Sequence, residues 1–233
     1  MSFKERLLEK FHNKPLISAI ITSFSTRTLV LSALAFAINI AFALFNGIAS
    51  LIYKSMWHGS LAIYYFFLSF MRLAIILIFF SLRRKHREDP DRMAFEKEKI
   101  YLFNGLLILL LAIALTAVNI EVIFSTRPAI AGEIFAIALA TYSFYKITIA
   151  IINSARARRT TDAITKTIRN IGLVDAVVSM LMLTNTLITT FGSAVDMRLM
   201  LVFASVASSI TNISVGSFMI IQGITNIMKY KRR

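Results

Sequence analysis

Apolar residues run through this chain in long unbroken blocks rather than alternating with polar ones. Four stretches, 28–53, 100–120, 176–195 and 199–228, contain no Asp, Glu, Lys, Arg or His. Two more, 59–82 and 129–153, are interrupted only by Arg72 in the first and by Glu133 and Lys146 in the second. A helix rises about 1.5 Å per residue, so ~20 residues cross a hydrocarbon layer of ~30 Å. The pattern predicts an all-α polytopic membrane bundle of six transmembrane helices, in three hairpins at about 28–82, 100–153 and 171–228. Before it, Phe3, Leu7, Leu8 and Phe11 recur at helical spacing opposite Lys4, Glu5, Arg6, Glu9 and Lys10. Segment 1–27 is therefore expected to include an amphipathic helix lying in the membrane interface or solvated beside it.

Proline placement gives a separate signal. Pro15, Pro90 and Pro128 all fall between the expected helices, where a missing amide proton and a fixed φ do least harm. Tyr53, Trp57, Tyr101 and Tyr230 lie near the ends of the apolar runs, the depth at which an aromatic ring rests among headgroups.

Composition removes several function classes. The chain is 57% hydrophobic with no cysteine, which excludes disulfides, thiolate metal sites and a cysteine nucleophile. Its net charge of +14 does not form a basic stripe on a soluble domain, so no nucleic acid partner is expected. Segments 1–27, 83–99, 154–170 and 229–233 hold twenty-one Lys and Arg, whereas Lys54, Arg127 and Arg198 are the only ones in the alternate loops. Basic residues in short loops stay on the cytoplasmic side during insertion. Both termini and the basic loops 83–99 and 154–170 are expected there, next to anionic lipid headgroups.

An internal repeat is visible in the even-numbered runs. Ser69-Phe70-Met71-Arg72, Ser143-Phe144-Tyr145-Lys146 and Ser217-Phe218-Met219-Ile220 are spaced by 74 residues, and each helix then runs on to a basic cluster. Parallel hairpins of this kind can be related by an axis along the membrane normal and enclose a cavity. Mitochondrial-type carriers share that plan, but their proline-acid-basic signature is missing.

Ionisable groups at membrane depth cost about 3 kcal/mol each on insertion scales and face protein or water. Arg72 lies eleven residues before Arg83, about 16 Å along the helix. Lys146 holds the equivalent repeat position. Asp175, six residues after Arg169, is expected at a shallower level where Lys146 reaches down to it. Gln222 stands near the third copy's Ile220. Arg72, Lys146, Asp175 and Gln222 are thus the candidate ligand or ion-pathway residues, and two cations against one acid suit an anion. Pairing of Lys146 with Asp175 as packing glue is the competing reading of the same residues. Glu133, Asn46, Asn119 and Asn185 are secondary polar candidates, for a path or for interhelical hydrogen bonds.

Tyr53-Lys54-Ser55 with Trp57, Gly59, Leu61, Ala62, Tyr64 and Tyr65, together with Phe144-Tyr145-Lys146-Ile147, Ala150, Ile151 and Asn153, resemble a family of uncharacterised six-helix membrane proteins of Gram-positive and related gut bacteria. The resemblance implies a bacterial plasma membrane location and brings no activity. His12, His58 and His86 are far apart, and no phosphate loop, nucleophile elbow or metal motif occurs. No catalysis, metal or cofactor is expected. The leading expectation is a small transporter or channel-like protein for an anionic or lipid-phosphate ligand. The rival is a noncatalytic membrane component that binds lipids, a protein partner or a second copy of itself.

Overall fold

The computed structural model describes residues 24–85, 89–124, 133–157, 162–191 and 198–231. They form six α-helices: α1 (Phe24–Tyr53), α2 (Met56–Lys85), α3 (Pro90–Phe124), α4 (Glu133–Ala157), α5 (Ala163–Phe191) and α6 (Arg198–Lys231). The amphipathic helix expected at 3–11 lies outside the described residues, as do Arg127 and Pro128, and α1 begins at Phe24, inside the expected segment 1–27. Among the described residues, α1, α2, α3, α5 and α6 are long and apolar enough to cross a membrane, and α4 carries a shorter apolar stretch, Ala140–Ile152.

Local chemistry sets where the helices stop. Between α1 and α2, Lys54 takes a positive φ of 48° and the Ser55 amide returns to the Ser50 carbonyl at 3.3 Å, a left-handed reversal that closes the last turn of α1. The Ser50 hydroxyl donates to the Ser55 carbonyl at 3.1 Å, so only Lys54 and Ser55 connect two thirty-residue helices. Asp89 starts α3 by accepting the Arg92 amide at 3.0 Å, and Pro90 occupies the first helical position, where it sacrifices no bond. Asp162 caps α5 in the same way, accepting the Thr165 amide at 3.0 Å and the Thr165 hydroxyl at 2.8 Å.

α5 is the hub, for it packs against each of the other five helices. About two thirds of its apolar span is buried, 67%, against 44% or less in the other four candidate spans. α1 pairs with α2, α4 with α5, and α3 with α6. Among the described residues α3 and α4 do not touch. Three hairpins thus describe the course of the chain, while the packing puts a helix where an axial arrangement of hairpins would leave a cavity. The helices also extend beyond the apolar runs. Most of basic segment 83–99 is helical, and α5 begins at Ala163 rather than near 171.

The α3–α6 seam is the closest. A Cβ placed on Gly216 would stand 3.0–3.1 Å from backbone and Cβ atoms of Leu109, and one on Gly105 would meet Met219 Cβ at 2.8 Å. Glycine is what lets these two backbones approach, the usual device where helices associate in lipid. The outer surface is the opposite of a soluble protein's. Leu34, Leu44, Ile48, Phe66, Phe70, Leu77, Phe103, Ile113, Phe144, Phe203, Ile210 and Ile221 all point outward and lie exposed. Apolar patches on this scale call for hydrocarbon around them.

Candidate functional site

Near the middle of α5, Asp175 is 2% exposed and gathers side chains from three other helices. Its Oδ1 accepts from Lys146 Nζ of α4 at 2.7 Å. Its Oδ2 accepts from Arg72 Nη2 of α2 at 3.0 Å and from Asn39 Nδ2 of α1 at 3.2 Å. One carboxylate therefore ties α1, α2 and α4 to α5. Breaking a buried pair of this kind by removing one partner costs about 3–5 kcal/mol, because the other charge is left uncompensated.

Ser179, one turn beyond Asp175, completes the arrangement. Its hydroxyl donates to the Asp175 carbonyl at 2.8 Å and accepts from Lys146 Nζ at 2.9 Å. Its oxygen lies 3.3 Å from the Tyr65 hydroxyl, and its carbonyl accepts from Ser143 at 3.1 Å. Lys146 also sits among three rings, with Nζ 4.6 Å from the centre of Tyr142, 5.3 Å from Tyr65 and 5.6 Å from Phe42. Phe42 and Tyr142 are themselves stacked at 5.0 Å. Ring faces stabilise an ammonium whose water has been stripped away.

Some bonding capacity is unused. Arg72 Nε, Asn39 Oδ1 and the Tyr64 hydroxyl are buried without a hydrogen-bond partner. Two cations share one acid, so the cluster carries an excess of one positive charge when all three groups are ionised. The other acids with described side chains, Asp89, Asp91, Glu96, Glu98 and Asp162, lie in the early part of α3 or at the start of α5.

Arg72, Lys146 and Asp175, all singled out from sequence, therefore meet, and the competing pairing of Lys146 with Asp175 is present as well. Lys146 and Arg72 both reach Asp175, which is the thirteenth residue of α5 because that helix begins at Ala163. Gln222 does not join them. It belongs to the α3–α6 seam, where its Oε1 accepts from the Tyr101 hydroxyl at 2.8 Å. Asn46 donates to the Phe42 carbonyl one turn back at 2.8 Å and leaves Oδ1 unpartnered. Asn119 is buried with neither amide atom partnered, and Asn185 is buried in α5. Glu133 begins α4, but its side chain lies outside the described residues.

Several members of the site escaped the sequence reading of chemistry: Asn39 as a ligand of the carboxylate, Ser179, and the ring set Phe42, Tyr65 and Tyr142. Helical spacing carried a signal for most of them. Ser179 follows Asp175 by four residues, Tyr142 precedes Lys146 by four and Phe42 follows Asn39 by three, the separations that place side chains on one helical face.

A second polar cluster lies toward the basic end. Lys97 Nζ donates to Asp162 at 2.8 Å, and Asn226 donates to Glu98 at 3.1 Å. Burial opposes ionisation of Asp162, yet the hydrogen bonds from Lys97 and Thr165 outweigh it and hold the carboxyl below its ordinary range. These contacts join α3 to the start of α5 and to the end of α6. Among the described residues, no three His, Asp or Glu side chains gather as a metal site. No protein-family model matches the chain, and no curated protein matches it.

Proposed function

We propose that this multi-pass membrane protein holds an oxyanion, a carboxylate or phosphate group, at Arg72 and Lys146 and acts as a small transporter or channel-like protein for it. One observation carries the reading: two buried cations from different helices share a single carboxylate, so the bundle interior has an excess positive charge and an unpartnered guanidinium Nε. Ionisable groups at this depth are rare, and where they occur they mark ion or substrate paths more often than most buried polar groups do. Asp175 is the resident counter-ion that an incoming anion displaces or shares. No catalytic step is assigned to the site.

The same reading puts the protein in a bacterial plasma membrane, as the resemblance of α2 and α4 implies, with both termini and the basic loops in the cytoplasm beside anionic lipid. A second reading rests on the position of α5. A helix that fills the centre and is pinned by Asp175 to α1, α2 and α4 suits a noncatalytic membrane component, in which the cluster locks the bundle and function lies in lipid or partner contacts. Reconstituted protein separates the two. Anion flux, together with thermal stabilisation by added oxyanions, is expected in the intact chain and lost in Arg72→Gln and Lys146→Gln. Intact anion flux in both variants would remove the first reading and leave the second.

A further inference from the structure

An anion arriving at Arg72 and Lys146 meets donors that are already engaged. Lys146 Nζ is shared between Asp175 and Ser179, and Arg72 Nη2 is bonded to Asp175. The Asp175 carboxylate competes for the very groups an oxyanion needs and repels it as well. Resting on the anion-binding reading above, we infer that Asp175 is a proton-binding site coupled to the anion: a proton taken up on its carboxyl releases the two cations, and the oxyanion replaces the lost negative charge.

The charges balance. With Asp175 ionised the cluster holds +1, a proton alone raises it to +2, and a proton with a monoanion returns it to +1. A buried cluster resists the middle state, so each ligand favours the other, and the coupling is reciprocal by linkage. A hydronium ion of the solvent supplies the proton: one of its O–H bonds breaks, leaving water, as one O–H bond forms on Asp175, and no other covalent bond changes.

Asn39 is built to serve both states. Its amide nitrogen now donates to Asp175 Oδ2, and its Oδ1 has no partner. Rotating the amide by half a turn presents Oδ1 as acceptor to a protonated carboxyl, since Asn carries a donor and an acceptor on one terminal group.

The titratable groups that face Asp175 are Arg72, Tyr64 and Tyr65 from α2 and Lys146 and Tyr142 from α4. At the same level α1, α3 and α6 bring none, residues 34–44, 103–112 and 208–220 containing no titratable side chain. Among these neighbours only Asp175 has an ordinary protonation range on the acid side of neutrality.

The test uses the full chain in detergent with dimethyl phosphate, a monoanion at every pH used, so that pH acts on the protein alone. In weakly buffered solution with a pH indicator, binding is expected to take up as much as one proton per anion. Apparent affinity should rise as pH falls, by at most tenfold per unit. Asp175→Asn should bind with no proton uptake, independently of pH. Where that variant does not fold, the wild-type proton count decides alone. Wild-type binding without proton uptake overturns the coupling and leaves the anion reading standing, whereas no binding by either protein at any pH removes the anion reading itself. Nanodiscs of phosphatidylcholine with phosphatidylglycerol that exclude the probe identify a lipid headgroup as the source. Undiminished probe binding there identifies a soluble oxyanion, and proton uptake on filling the site is required of either source.

Discussion

Asp175 must satisfy two cations with one carboxylate, and the cost of mutating each member follows from that imbalance. Asp175→Asn leaves Arg72 and Lys146 facing each other without an acid, and is expected to cost about 3–5 kcal/mol. Added oxyanion should restore part of it, because it replaces the missing charge. Lys146→Met keeps the stem and leaves Arg72 paired one to one with Asp175, so its cost should fall below that of the Asn variant, at about 1–3 kcal/mol for the Oδ1 that loses its donor. Thermal unfolding of both variants with and without dimethyl phosphate checks the ordering, and an Asn variant as stable as the Met variant would contradict it. Arg72 and Lys146 were legible in the sequence because a charge inside a long apolar run stands out, and Asp175 because it borders one. Asn39, Ser179 and the rings around Lys146 were not, because Asn, Ser and Tyr are common in such runs. Only the convergence of α1, α2, α4 and α5 distinguishes these from their neighbours.

At the scale of elements, two glycines in helix interiors should respond in opposite directions. A Cβ on Gly216 meets the Leu109 backbone at 3.0–3.1 Å, so Gly216→Val forces α3 and α6 apart and should cost about 1–3 kcal/mol, the range for overpacking. Gly172 in α5 has nothing within 4 Å of a built Cβ, and Gly172→Ala should stabilise by about 0.5–1 kcal/mol through the backbone entropy that glycine carries into a helix. Denaturation midpoints of the two variants should move to opposite sides of the wild type. The start of α5 supplies a pH test. The Asp162 carboxyl is held below its ordinary range in the fold, so its stabilisation is complete above the unfolded value of about 3.9 and disappears as pH falls through the lower folded one. Asp162→Ala should therefore cost about 1 kcal/mol at neutral pH and nothing once the wild-type carboxyl is protonated. Equal costs at both pH values would contradict this cap. Helix existence was legible from block hydropathy alone, but the start of α3 at Pro90 was not, because the charged segment 83–99 reads as a loop with its proline between helices. The start of α5 at Ala163 was obscured because Lys166 and Arg169 look like loop residues to a reading by charge.

At the scale of the molecule, the sequence reading of an all-α bundle of six helices agrees with the described residues, which form six helices and no strand, whereas the helix at the centre was hidden. All the spans have similar hydropathy, and hydropathy cannot tell a neighbour of lipid from a neighbour of protein. The clue lay in composition: Thr165, Thr167, Asn170, Asp175, Ser179, Thr184, Asn185 and Thr186 are all buried, and polar groups spread around a helix at this depth need protein on every side. The 74-residue repeat anticipated that Arg72 and Lys146 occupy equivalent levels, and they do meet on one acid. It did not anticipate that α6 leaves this scheme to pair with α3, because the glycines that draw those helices together lie outside the repeated motif.

Everything depends on an apolar exterior in hydrocarbon around an ionised centre. The chain has no cysteine, so single-cysteine variants report without background. Phe70 of α2 is 58% exposed on the bare protein and Phe144 of α4 60%, beside a Lys54 that is also exposed. In native membranes opened to both sides, a charged, water-soluble maleimide should label Lys54→Cys rapidly and leave Phe70→Cys and Phe144→Cys unreacted until detergent or denaturant is added. Labelling of all three at the same rate in intact membranes would mean that water surrounds these helices, and the account would fail.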